Sequence, residues 1–163
     1  MIMETDVKNS RYYLNRELSW LQFNKRVLQE AVDTSNPLLE KLKFLAITSS
    51  NLDEFFMIRV AGLKHQKENG VKRRDIANMT PTEQLENISD ACQKLVAQQY
   101  MHLKGILKEL ETEGLVFIKP ADADERQKQW MGNYFEREIF PVVTPMAVDS
   151  SHPFPFLASK SLN

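Results

Sequence analysis

From Glu17 onward the apolar residues recur at helical spacing. Trp20, Leu21, Val27, Leu28 and Ala31 lie on one face of a 3.6-residue period, with Phe23 off it. Asn36-Pro37 breaks that pattern, with Asn36 placed to cap a second helix and Pro37 to take its first turn. The next segment, Leu38 to about Thr48, is apolar nearly all round toward its end, which predicts burial on several sides. The following SSNLDEFF, residues 49–56, reads as a new helix start. Ser50 with Asp53, and Asn51 with Glu54, both have the spacing of a capping box. A third helix is then expected from Leu52 to about Glu68, stopped by Asn69-Gly70.

Thr80-Pro81-Thr82-Glu83 predicts a strong helix start: a capping threonine, a proline at the first position and a glutamate to close the box. The stripe Leu85, Ile88, Cys92, Leu95, Val96, Leu103, Ile106, Leu107 and Leu110 then holds until Gly114. A helix this long with one apolar face needs partners, and the preceding helices supply them. The expected class is mainly α: an antiparallel helical bundle over residues 1–114. Beyond it the character changes. Leu115-Val116-Phe117-Ile118 has the composition of a strand, and Asp122 with Glu125 predicts a capped helix carrying Trp130, Tyr134, Phe135 and Ile139. The terminal HPFPFLASKSLN ends on a second strand-like run. Residues 115–163 are therefore expected to be the incomplete beginning of an α/β head domain, in a truncated chain.

Composition narrows the function classes. A net charge of −1 gives no bias toward nucleic acid. The single cysteine, Cys92, falls in the apolar stripe and is read as a core residue of a protein from a reducing compartment. No apolar run approaches the roughly 18 residues needed to span a bilayer. The acidic residues at the N-terminus exclude a secretory signal, and the chain reads as cytoplasmic. His65, His102 and His152 stand apart from one another and from Cys92, so no metal-ligand spacing is present.

If SSNLDEFF opens a helix, its free N–H groups attract anions, but Asp53 and Glu54 in the first turn oppose a phosphate there. The neutral amide of Asn51 better suits a base edge or a ribose. Other residues carry two readings. Arg59 and Lys64 either line the path of a polyanion or sit on a solvated, ion-paired helix face. Trp20 and Phe23 either stack on a base or pack in the core. The basic turn Val71-Lys72-Arg73-Arg74-Asp75 either contacts a phosphate or is a solvated loop. His152-Pro153-Phe154-Pro155-Phe156 reads as a rigid extended segment.

Three blocks, YYLNRELSWLQFNKRVLQEA, NPLLEKLKFLAITSSNLDEFFMIRVAGLK and TPMAVDSSHPFPFLASKSLN, together resemble the N-terminal part of the type 1 polyphosphate kinase family. The resemblance covers residues 12–163. It implies reversible transfer of the terminal phosphate of ATP to inorganic polyphosphate, through a phosphohistidine beyond these residues. The arginines that bind magnesium and most nucleotide contacts are also implied to lie beyond them. No catalytic and no metal-binding residue is therefore expected in this chain. One family site falls inside it: the Asn before Leu-Asp-Glu-Phe contacts ATP, and here that is Asn51. The implied partners are ATP, ADP and polyphosphate, with no nucleic acid. A homo-oligomer is expected and peripheral membrane association is allowed. The alternative from a different class is a non-catalytic helical protein-interaction module.

Overall fold

The computed structural model describes residues 9–162. The chain divides into two units, one running up to Phe117 and one starting at Ile118. In the first, α1 spans Arg16–Glu30. Asn15 caps it, its Oδ1 accepting from the backbone N–H groups of Glu17 and Leu18. The same side chain donates to Asp75 at 2.7 Å and to Gln84 at 2.9 Å, tying the start of α1 to the loop and first turn of a helix far along the chain. The buried face of α1 is Glu17, Leu21, Asn24 and Leu28, continued by Ala31 at its C-cap. Phe23, off the stripe, is exposed, so its reading as a core residue is corrected.

Two expectations for the chain after α1 are corrected. Asn36 does not cap α2: its Nδ2 reaches back and donates to the carbonyl of Glu30 at the end of α1, and Pro37 is the N-cap of α2 without a side-chain bond. SSNLDEFF is not a helix start either. Helix α2 runs unbroken over Leu38–Phe55, so the stretch lies mostly in its interior. The N–H groups there are taken by carbonyls one turn earlier, and no anion-binding terminus exists. Helix α2 is buried on more than one side, packing against α1 and later against the long helix that follows, while Leu39 and Ile47 stay exposed. A π turn, Phe56–Val60, leads into α3, Ala61–Glu68. Gly70, at φ 68°, ends that rod. Gly70 N–H bonds the carbonyl of Lys67 and Val71 N–H that of Gln66, the reciprocal pair of a Schellman stop.

Helix α4, Pro81–Thr112, has the expected capping box between Thr80 and Glu83. Its 32 residues make a rod roughly 48 Å long. Gly114, at φ 84°, closes it with a second Schellman stop. Pairing fixes the directions. Glu17 meets Arg59 while Asn24 meets Thr48 and Asn51, so the α2–α3 rod runs antiparallel to α1. Gln99 of α4 donates to the carbonyl of Leu45 and to Ser49, and Leu103 flanks Leu42, so α2 is antiparallel to α4 as well. The result is the antiparallel helical bundle. Leu21, Leu28, Leu45, Leu52, Phe55 and Ile88 are at the centre of its core. Burial pushes the Cys92 thiol up to about 11, which makes it an inert core residue.

In the second unit, α5 spans Glu125–Tyr134. Its cap is Asp124 with Gln127, two residues later than the Asp122–Glu125 pair the sequence suggests, because Pro120–Asp122 form a 3-10 turn. A π turn (Phe135–Ile139) and a 3-10 turn (Phe140–Val142) follow. No strand forms among the described residues, and the one expected at Leu115–Ile118 is an extended, exposed segment. A strand exists only against a partner edge, and no described segment supplies one.

Candidate functional site

A cleft of about 560 Å³ opens beside α1 and the α2–α3 rod. Asn51, Glu54, Trp20, Phe23, Arg16 and Arg59 line it, with Glu17 at its base. Each comes from a helix whose opposite face is core. Asn51 follows Thr48 and precedes Leu52 and Phe55, all three buried, so its own side chain emerges at the edge of the interface. Trp20 lies flat on Phe55, with ring centroids 4.5 Å apart and planes at 7°. Phe23 stands half-exposed on the wall.

The ionic groups of the cleft are arranged around a buried acid. The side chain of Glu17 is only 6% exposed. Its Oε1 accepts from Nε and Nη2 of Arg16 at 2.9 and 2.7 Å, and its Oε2 from Nη1 of Arg59 at 3.2 Å. Removing either arginine leaves a desolvated carboxylate with half its partners. Counted formally, Arg16 and Arg59 are balanced by Glu17 and Glu54. A balanced cleft attracts a triphosphate weakly, whereas aromatic walls and an amide suit an uncharged base or ribose.

The structure brings some candidates together and separates others. Asn51, Arg59, Trp20 and Phe23 share the cleft. Lys64 does not; it lies with Lys67 and Glu68 on a different groove of about 1070 Å³, floored by Val60, Ile88, Cys92 and Val96. In the basic turn, Arg74 is paired with Glu83 at 3.0 Å and Asp75 is bound by Asn15, which makes that turn a structural joint. Exposed His152 bonds Asp149, whose carboxyl is held down to about 2 by bonds from Ser151 and His152. Among the described residues no group of three His, Cys, Asp or Glu side chains could hold a metal ion, and no helix is long and apolar enough to cross a membrane.

Two polar residues escape a reading of the sequence: Glu17 at the base of the cleft and Asn24 buried behind it. Both fall on the apolar period of α1, at 17, 21, 24, 28 and 31, where a polar residue looks like a gap in the stripe. A polar side chain at a core position must find bonding partners, and that requirement is the signal that could have flagged them.

This geometry is a helical bundle with a ligand-sized cleft, and sequence comparison gives its lineage. The family model for the polyphosphate kinase N-terminal domain matches residues 13–118, and that for the polyphosphate kinase middle domain matches residues 126–163. The chain belongs to the polyphosphate kinase family. It is 50% identical to the polyphosphate kinase of Synechocystis over 159 residues, which is 97% of this chain and 22% of that relative. It is 49% identical to the polyphosphate kinase of Bacillus anthracis over 160 residues, 97% of this chain and 23% of that one. The crystal structure of polyphosphate kinase from Porphyromonas gingivalis is similar to it with a TM-score of 0.65 at 32% identity, covering 89% of this chain and 20% of that chain. The chain thus spans about a fifth of the length of the curated relatives it matches.

Proposed function

We propose that this chain is the N-terminal part of an ATP–polyphosphate phosphotransferase, and that the cleft beside α1 receives the uncharged end of the nucleotide, with Asn51 as its hydrogen-bonding contact. In this reading residues 1–114 are the helical domain and 115–163 open the next one, with residues 1–8 and 163 lying outside the described residues. The reaction transfers the terminal phosphate of ATP to polyphosphate, through a phosphohistidine and magnesium held by residues outside this chain. The protein works in the cytoplasm as a homo-oligomer. The observation that carries the proposal is the placing of Asn51 among Trp20, Phe23, Glu54 and Arg59 in one charge-balanced cleft.

Asn51→Ala in the complete protein tests it. Loss of one neutral hydrogen bond should raise the KM for ATP up to about tenfold, with kcat little changed. Unchanged kinetics at low ATP would sink the ligand role. Stability should fall by about 1–2 kcal/mol, because the buried Asn24 oxygen loses its donor and the better helix propensity of alanine offsets only part of that cost.

The second reading, a non-catalytic interaction module, draws on the apolar groove between the α2–α3 rod and α4. An intact-mass measurement on the native protein separates the two. A mass several times that of this chain supports the phosphotransferase, and a mass close to that of this chain supports the module.

A further inference from the structure

Behind Asn51 sits Asn24, which is 0% exposed and does not line the cleft. It cannot touch a ligand, yet it is bonded on both sides. Its Nδ2 donates to the backbone carbonyl of Thr48 at 3.1 Å, and its Oδ1 accepts from Nδ2 of Asn51 at 2.9 Å. The polarity of this relay has one solution. A backbone carbonyl only accepts, so the Asn24 end facing Thr48 is the NH2 group. The end facing Asn51 is then the Asn24 oxygen, which also only accepts. Asn51 must therefore turn its own NH2 group inward, leaving its Oδ1 as the amide end available to the cleft. Among the described residues no group donates to that oxygen.

We infer that Asn24 is a positioning residue that fixes the amide of Asn51 with its acceptor outward, so that the cleft selects a nucleotide offering a hydrogen-bond donor, such as a 6-amino purine, over one offering a 6-oxo acceptor. The inference rests on the reading of Asn51 as a nucleotide contact. A donor facing the outward oxygen makes a bond. A 6-oxo group places two acceptors face to face, and a buried polar pair left unbonded discriminates strongly. The Thr48 carbonyl belongs to the α2 backbone, so the selecting group is locked by the helix itself.

The test compares ATP with inosine triphosphate, which carries a 6-oxo group, as substrates of the complete protein. The wild type should prefer ATP in kcat/KM by about tenfold or more. Asn24→Leu removes the inward acceptor and frees the amide to rotate. It should raise the KM for ATP and reduce the ATP preference at least about fivefold, with kcat near wild type. Asn24→Asp is the rescue. Burial favours the protonated carboxyl, whose OH would donate to Thr48 and whose C=O would accept from Asn51. It should restore the preference. A wild type that uses both nucleotides equally overturns the inference. So does a folded Asn24→Leu protein with unaltered preference, or an Asn24→Asp protein that behaves like Asn24→Leu. If neither variant folds, Asn24 is a core residue only and the inference falls. Failure of the underlying reading looks different: Asn51→Ala would then leave the KM for ATP unchanged.

Discussion

The two units of this chain use the same local grammar to different ends. Helix α4 of the bundle and helix α5 beyond it both begin with a complete capping box, Thr80 with Glu83 and Asp124 with Gln127. Both carry aromatic or aliphatic residues at helical spacing. In the bundle those residues meet each other: Leu21, Leu52, Phe55, Ile88 and Leu95 share one core. In the second unit Trp130, Tyr134, Phe135, Phe140 and Phe156 are exposed. Caps satisfy backbone groups within one turn and require nothing from afar. Burial requires a second element, so an apolar stripe acquires a free energy only when something faces it.

Truncating one aromatic in each unit should give the largest difference between them. Phe55 is 2% exposed and stacked on Trp20, so Phe55→Ala should cost about 3–5 kcal/mol in a urea melt of the bundle. Trp130 is 64% exposed, and Trp130→Ala should stay within about 0.5 kcal/mol. A similar cost at both sites would overturn the contrast. Helix caps give the next effect. Asn15→Ala removes a cap and leaves the buried Gln84 without one donor, about 2 kcal/mol together. Asp124→Ala removes an exposed cap alone, at most about 1 kcal/mol, and should show as faster amide exchange in the first turn of α5.

The smallest effect is titration. Glu83 is held below the usual carboxylate range, chiefly by the backbone N–H of Thr80 and then by its hydroxyl. A carboxyl whose folded pKa is depressed stabilises the fold above its unfolded value and loses that contribution as pH falls through the folded one. Acidification should therefore loosen the start of α4, read as faster exchange of the Thr80 amide. In the second unit the turn closed by Asp149 should hold its Ser151 and His152 amides until pH falls toward about 2. Exchange at these amides that does not change with acid would remove the carboxylates from the account.

Where the sequence is legible, the signal is local and unambiguous. The Thr80 box and the glycine stops at 70 and 114 need only a few neighbouring residues to specify them. SSNLDEFF misleads because Ser-x-x-Asp spacing is necessary for a box but not sufficient. Nothing upstream interrupts α2, so the N–H groups a cap would serve are already bonded. Asp122 and Asp124 each have a suitable partner three residues on, and the 3-10 turn at Pro120 decides between them. The cleft is half legible. Asn51, Arg59, Trp20 and Phe23 stand out by chemistry, but their company with Glu17 depends on how α1 packs against a segment some 40 residues away.

The π turn at Phe56–Val60 shifts the phase of the rod that contains it. The core contacts of the rod run 45, 48, 52, 55 and then 60 and 63, so one interval is five residues where three or four would be regular. Each helical residue advances the chain by about 100°, so the extra position moves the residues after it around the axis by that angle. In an uninterrupted helix Arg59 would sit one turn above Phe55, against the core. With the shift, Val60 takes the interior place and the Arg59 side chain, 35% exposed, swings out into the cleft that Asn51 and Glu54 also line. The irregular turn works like the offset cut into a key: a single extra residue sets which side of the rod faces the core and which faces the cleft.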